Sequence, residues 1–273
     1  MSYPEPPTGA FGTVFASQMS TSRYAGGEWS NAELGPVKAF SMHPATHVFH
    51  YGSACFEGLK AHRAENGEVR IFRLETHVKR MQRSAQVLML PAPSPEALTD
   101  MIVETVSANA SETPVQPGSL YIRPTLIGTE PNIGAAGVGS KEALLYILCS
   151  PVGDYFAGGL RPLKIVVETD VPRTTPAFGA VKCGANYVQA LGITQRYKRE
   201  FGADQVLFAP GGDVQETGAS NFLLIREGKV LTKALSDAFL HGVTRDTVLT
   251  LAREMGYDVE ERDFSVDELL EWA

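Results

Sequence analysis

Residues 179–189 read GAVKCGANYVQ. They place one lysine, Lys182, in a run of small, apolar and aromatic residues, with no other charge within eight positions on either side. A free lysine titrates near about 10.4 and is protonated at neutral pH. Desolvation favours the neutral amine, which can attack a carbonyl and form a Schiff base. A lysine between glycines is also what an exposed loop presents, so Lys182 becomes a nucleophile only if the rest of the chain supplies it with partners.

Downstream of this loop the pattern turns helical from about Tyr187 to Phe201, where Gly202 ends it. Upstream, 163–168 alternates as a strand. The runs 205–210, 221–226 and 229–232 also read as strands, the last two joined across Glu227-Gly228. Thr244 is the expected N-cap of a helix running through Met255 and closed by Gly256. A short strand follows at 258–262, and Ser265 with Glu268 forms a capping box opening a helix that carries Leu269, Leu270 and Trp272. The sequence stops at Ala273 inside that last pattern, so the C-terminal unit is expected to be incomplete.

In the first half, 37–50 and 53–73 read as strands with a hairpin-like Glu65-Asn66-Gly67-Glu68. Leu74, Val78, Met81, Ala85 and Leu88 repeat at helical spacing, and Ser94 with Pro95 opens a second helix to about Ala108. Strands are expected again at 119–126 and 143–149, followed by a stretch bearing Gly and Pro at 151–162. The division expected is a small domain over 1–155, a linker over 156–162 and a larger domain over 163–273. The first dozen residues, rich in Pro and Gly, read as mobile.

With 44% hydrophobic residues, the 273-residue chain can build full-sized cores. A net charge of -7 and scattered Lys and Arg residues argue against nucleic acid or an anionic membrane as partner. The N-terminus lacks the basic start and apolar run of a signal peptide, and no apolar stretch reaches membrane-spanning length. Cys55, Cys149 and Cys183 form no CxxC. These features point to a cytoplasmic protein with reduced thiols.

Candidates for chemistry are few. Glu216, in a Gly-containing turn between strand-like runs, would hold a heterocyclic nitrogen protonated, or else is a solvated hairpin residue. The sequence His241-Gly242-Val243-Thr244 runs into a helix start, a place that suits an anion. Arg80 lies at the edge of the stripe formed by Val78, Met81 and Ala85, within reach of a phosphate or on the surface. His43, His47 and His50 lack thiol or carboxylate companions at ligand spacing, and no metal is expected. Tyr51, Phe56, Tyr121 and Tyr155 are either pocket walls or core.

Seven segments in order, YGSACFEGLKAHR (51–63), RLETHVKRMQRSA (73–85), YIRPTLIGTEPNIG (121–134), VGDYFAGG (152–159), GAVKCGANY (179–187), ETGASN (216–221) and LHGVTR (240–245), closely resemble the branched-chain aminotransferases. The resemblance implies an α+β, fold-type IV enzyme using pyridoxal 5'-phosphate (PLP), with a small α/β domain and a larger barrel-like α/β domain. It implies that Lys182 forms the Schiff base with PLP, that Glu216 pairs with the pyridine nitrogen and that Tyr187 bonds the phenolic oxygen. Arg80, Val243 and Thr244 would hold the phosphate, and Leu240 would pack on the ring. Tyr51, Phe56, Tyr121 and Tyr155 would form a pocket for Leu, Ile or Val, with Arg123 receiving the carboxylate of glutamate, the product of 2-oxoglutarate.

The same resemblance implies a homodimer. Relatives carry proline where this chain has Ala157 and often threonine where it has Ala219, and they continue beyond residue 273 with a Gly-Thr-Ala turn. Two other readings stay open: a fold-type IV lyase acting on aminodeoxychorismate, and a PLP-binding remnant without turnover.

Overall fold

A computed structural model of the protein describes residues 3–153 and 161–272. The chain divides into two units, Met1–Arg161 and Pro162–Ala273.

The first unit is built from β1 (Gln18–Ala25), β2 (Glu28–Trp29), β3 (Glu33–Pro36), α1 (His47–Tyr51), β4 (Ala54–Phe56), β5 (Leu59–Arg63), β6 (Val69–Ile71), α2 (Leu74–Val87), α3 (Pro95–Ala108), β7 (Ser119–Gly128) and β8 (Ala143–Val152). Among the described residues these strands make one sheet of eight, ordered β2-β1-β8-β7-β5-β6, with β3 on β1 and β4 on β7. Its long central pair, β7 and β8, runs antiparallel from Ser119 opposite Val152 to Gly128 opposite Ala143.

Helices α2 and α3 cover one face of that sheet. Val78, Met81 and Ala85 of α2 and Leu98, Met101, Ile102 and Val106 of α3 join Leu120, Ile122, Leu126, Leu145 and Ile147 in one core. The Ser94 side chain accepts the Ala97 amide at 3.1 Å, so α3 is capped as its sequence predicts.

Two expectations need correction here, and one pair of strands was not expected. No strand spans 37–50; instead, the Thr46 amide bonds back to His43 at 2.9 Å, and one helical turn, α1, follows until Gly52 closes it in the left-handed region at φ 62°. Strand β1 carries no apolar alternation because two of its buried positions are polar: Ser20 bonds Thr105, and Ser22 donates to the Ser30 carbonyl at 2.7 Å; β3 buries no residue at all. The N-terminal stretch is docked from Tyr3 onward. The Arg63 guanidinium lies 3.7 Å from the Tyr3 ring centroid, and the Val115 amide donates to the Pro4 carbonyl at 3.0 Å.

The second unit contains β9 (Ile165–Glu168), α4 (Gly184–Phe201), β10 (Gln205–Phe208), β11 (Glu216–Thr217), β12 (Leu223–Arg226), β13 (Lys229–Thr232), α5 (Val243–Glu254), β14 (Asp258–Glu261) and α6 (Val266–Trp272). Strands β9 and β10 pair in parallel through α4, and β13 and β14 pair in parallel through α5. Each is a strand-helix-strand crossover, which brings the loop leaving its first strand to the N-terminus of its helix. Lys182 lies in one of those loops and Thr244 in the first turn of the other helix. Gly202 ends α4 at φ 62° as expected, and the Glu268 amide donates to Ser265 at the start of α6. The Glu268 carboxylate, however, goes to Arg262 at 2.6 Å, so only half of the capping box forms.

Candidate active site

The loop carrying Lys182 is pinned from both sides. Asn186, fully buried in the first turn of α4, donates to the Phe178 carbonyl at 2.9 Å and the Val181 carbonyl at 2.8 Å. The Ala180 amide donates to Asp237 at 3.3 Å. Gly179 permits this approach, because a Cβ there would meet the Ala238 carbonyl oxygen at 2.0 Å. Held this way, the Lys182 ammonium donates to the Tyr187 hydroxyl at 3.0 Å across one turn of helix.

Glu216 opens β11 opposite Phe208 and is 3% exposed. Its Oε1 accepts Arg173 Nε at 2.7 Å and the Leu240 amide at 3.1 Å. Its Oε2 has one long contact, from Asn221 Nδ2 at 3.4 Å. Asn221 also donates to the Leu240 carbonyl at 2.8 Å, tying the 240–242 loop to the carboxylate.

Burial raises the Glu216 carboxyl from 4.5 to about 7, against the opposing pull of Arg173, the Leu240 amide and Lys182. A folded-state value above the unfolded one means the folded chain holds the proton more tightly. The resulting stability is full below about pH 4.5 and is lost as the pH rises through about 7, roughly 3 kcal/mol in all. Urea unfolding of the cofactor-free protein across that window is expected to show this decline, and Glu216→Gln to flatten it.

Helix α5 begins two residues earlier than its sequence suggests. Gly242, not Thr244, is the N-cap, and a Cβ at Gly242 would collide with Asn221 Oδ1 at 2.0 Å. Val243 and Thr244 are therefore the first two helical residues, and their amides lie in the turn that points N–H groups out of the helix. The Glu216–Leu240 bond sets the carboxylate beside the start of α5 at Val243, and Lys182, bonded to Tyr187, is close enough for its charge to act on Glu216, so these residues share one neighbourhood of the second unit.

The remaining candidates belong to the first unit. Arg80 is held by Glu57 through Nε–Oε1 at 2.7 Å and Nη2–Oε2 at 2.8 Å, and His77 Nδ1 lies 2.7 Å from the same Oε2. Phe56, Tyr121 and Arg123 line a cavity of about 410 Å³ together with Phe11, Tyr146 and Leu148. Arg123 lies over the Phe56 ring at 4.5 Å and donates to the Tyr121 hydroxyl at 2.7 Å. Tyr51 is not part of that wall; its hydroxyl bonds the Ile133 carbonyl. Tyr155 lies outside the described residues.

His47 is buried and bonded to Ser53 at 2.8 Å. Among the described residues no group of His, Cys, Asp and Glu could hold a metal ion, and no helix is long and apolar enough to cross a membrane. Cys183 is buried beside Lys182, and burial raises its thiol.

Sequence reasoning missed Arg173, Asn186, Asn221, Glu57 and Phe11. Arg173 precedes Lys182 by nine positions, one beyond the charge-free window. An isolated lysine beside a polar residue one helical turn later was the available signal for Asn186.

A lysine and a phenol in contact, a buried carboxylate with an oxygen to spare, and a helix N-terminus beside it define a pyridoxal-phosphate enzyme of fold type IV. Residues 54–273 match the amino-transferase class IV family, and the chain belongs to it. It is 35% identical over 97% of its length to branched-chain-amino-acid transaminase 1 of Bacillus subtilis, spanning 76% of that protein. It is 36% identical over 94% of its length to a probable branched-chain-amino-acid aminotransferase of Streptomyces coelicolor, spanning 72% of it. Among solved structures, a branched-chain amino acid aminotransferase crystallised with pyridoxamine 5'-phosphate superposes with a TM-score of 0.78 at 27% identity, covering 94% of this chain and 80% of that one. The branched-chain aminotransferase of Thermoproteus uzoniensis with norvaline superposes with a TM-score of 0.75, also at 27% identity, covering 93% of this chain and 81% of that one.

The cofactor of the protein is PLP. The donor set suits it: Arg173 Nη1 is buried without a hydrogen-bond partner among the described residues, and Glu216 Oε2 faces no strong donor.

Proposed function

We propose that the protein transfers the amino group of leucine, isoleucine or valine to 2-oxoglutarate, using Lys182 as nucleophile and proton carrier. The observation that carries this reading is the Lys182–Tyr187 contact at 3.0 Å in the same neighbourhood as the buried Glu216. The likeness to the branched-chain aminotransferases above supports the substrate class.

PLP, when bound, supplies an electrophilic carbonyl and a ring that withdraws electrons from the substrate α-carbon. Lys182 is the amine that would hold the cofactor covalently and, when free, would carry the proton of the substrate α-carbon. Tyr187 lies within bonding distance of the Lys182 amine and orients it, and would hydrogen-bond the phenolic oxygen of the cofactor. Glu216 would hold the ring nitrogen and Leu240 would pack on the ring, while Arg80, Val243 and Thr244 would each serve the phosphate. Phe56 and Tyr121 receive the branched side chain, and Arg123 the distal carboxylate of glutamate. The resemblance would add Tyr155 and, from outside that cavity, Tyr51.

We place the protein in the cytoplasm as a homodimer. Phe49, Ile133 and Val138 are 61%, 67% and 59% exposed, and exposed apolar side chains of this kind suit an interface between copies. Sedimentation tests the dimer.

Incubation with PLP, leucine and 2-oxoglutarate is expected to yield glutamate. Pyruvate from aminodeoxychorismate instead would favour a lyase.

A pocket variant tests the specificity half separately. A Cβ at Gly58 would fall 2.2 Å from the Tyr121 hydroxyl, so Gly58→Ala must displace Tyr121 and with it Arg123. The KM for leucine is expected to rise about tenfold or more with PLP attachment unchanged, since ångström-scale misplacement of a binding group is enough for such a loss. An unchanged KM would remove Tyr121 from the pocket assignment.

A further inference from the structure

Arg173 has no role in the assignment above, yet it is a buried cation in the same loop as Lys182. Its side chain and that of Glu216 are each 3% exposed, and they meet at 2.7 Å. A buried ion pair of this kind gives little net stability, and well-packed apolar residues of the same volume often do as well or better. The pair therefore invites a reason other than folding.

The geometry supplies one. Both acceptor positions of Glu216 Oε1 are taken, one by Arg173 Nε and one by the Leu240 amide at 3.1 Å. The carboxylate cannot rotate without breaking both bonds. Oε2 is left with only the 3.4 Å contact from Asn221. On its other side, the Arg173 guanidinium lies 5.7 Å from the Tyr187 ring centroid, and Tyr187 in turn meets Lys182. Arg173 thus sits between the carboxylate and the phenol, with its buried Nη1 unpartnered among the described residues.

We infer that Arg173 is a positioning residue for the cofactor nitrogen: it locks Oε1 of Glu216, presents Oε2 to the ring nitrogen and keeps that carboxylate anionic, so that the proton resides on the ring. This inference rests on the PLP assignment of the preceding subsection. Without the guanidinium, the low-polarity surroundings favour the neutral carboxylic acid, which keeps its proton and donates a hydrogen bond to an unprotonated ring nitrogen instead of accepting one from a pyridinium. The same heavy atoms then hydrogen-bond with the proton on the wrong partner, and the ring loses much of its pull on electrons.

The test uses the full chain loaded with PLP labelled with ¹⁵N at the ring nitrogen, and four variants: Arg173→Met, Arg173→Lys, Glu216→Gln and the double variant Arg173→Met with Glu216→Gln. In the parent chain and in Arg173→Lys, which keeps the positive charge, the ring-nitrogen resonance is expected at the pyridinium position. In Arg173→Met it is expected at the neutral pyridine position, with the Kd for PLP raised about tenfold or more, the scale of one charge-assisted hydrogen bond.

The Glu216→Gln background isolates the pathway of the effect. If Arg173 acts through Glu216, adding Arg173→Met to Glu216→Gln leaves the Kd unchanged. The double variant also removes both buried charges together, so it keeps the comparison available if Arg173→Met alone folds poorly. A pyridinium signal in Arg173→Met, or an equal loss of PLP affinity in both backgrounds, overturns the inference. Failure of the parent chain to form any Lys182-dependent PLP adduct would overturn the cofactor assignment itself, and the inference with it.

Discussion

Lys182→Ala is expected to abolish covalent attachment of PLP. After borohydride treatment the parent chain should carry one cofactor on the peptide containing residue 182, and the variant none. Glutamate formation from leucine and 2-oxoglutarate should fall by about 10⁴-fold or more, because the side chain serves both as nucleophile and as the group that moves the α-proton. Reversible PLP binding should survive, since Glu216 stays anchored by Arg173 and Leu240 and the Lys182 loop stays anchored by Asn186. Attachment at a different lysine in the variant would sink the assignment. The neighbourhood makes that outcome a sharp test: Lys182 is nine residues from Arg173 in sequence, and no other lysine lies between Glu168 and Tyr197.

The second large effect is on stability. Glu57 is 1% exposed and compensates both Arg80 and His77. Removing it leaves two polar groups of α2 buried without their carboxylate, a change that costs about 3–5 kcal/mol. Glu57→Ala is expected to lower the unfolding midpoint of the first unit by about 10 °C.

The pH dependence has the opposite sign to that of Glu216. Burial alone would raise the Glu57 carboxyl, but bonds and charge from Arg80 and His77 overcome it and bring it from 4.5 down to about 2. A lowered value means that the stabilisation is complete above about pH 4.5 and is lost as the pH falls through about 2, roughly 3 kcal/mol in total. Acid unfolding of Glu57→Gln should therefore lack the steep loss the parent chain shows between those values. If parent and variant trace the same acid limb, the ion pair does not govern it.

The two glutamates show why one kind of residue can serve opposite purposes. Glu57 meets two donors in paired geometry and is a structural anion that fixes Arg80. Glu216 is as deeply buried, yet keeps one oxygen weakly engaged. In sequence they are equally plain: one stands in CFEGL and the other in QETGA.

Much of the second unit was legible beforehand. The helix ending at Gly202, the strands that became β10, β12 and β13, and the cap at Ser265 each follow from signals spanning a few residues, because a left-handed φ, a missing N–H or a side-chain cap is settled within one turn of chain. The start of α5 was misplaced by two residues for the complementary reason: what makes Gly242 the cap is the approach of Asn221, a contact across 21 positions. Strand β1 escaped notice because hydrogen bonds bury its serines where hydrophobicity would bury valine, and β3 because it is short and buries no residue.

The charge-free run around Lys182, the ordered motifs that relate the chain to the class IV aminotransferases, and the helix boundaries with local caps are properties of neighbouring residues, and they are readable in the chain before it folds. The electrostatic state of the site is not. Arg173 reaches Glu216 across 43 positions and Glu57 reaches Arg80 across 23, and these pairings exist only because chain reversals bring the groups together away from water. Burial and pairing act on the folded surface and leave no periodic trace in sequence, which is why tertiary structure alone decided which carboxylate is fully paired and which keeps an oxygen weakly engaged.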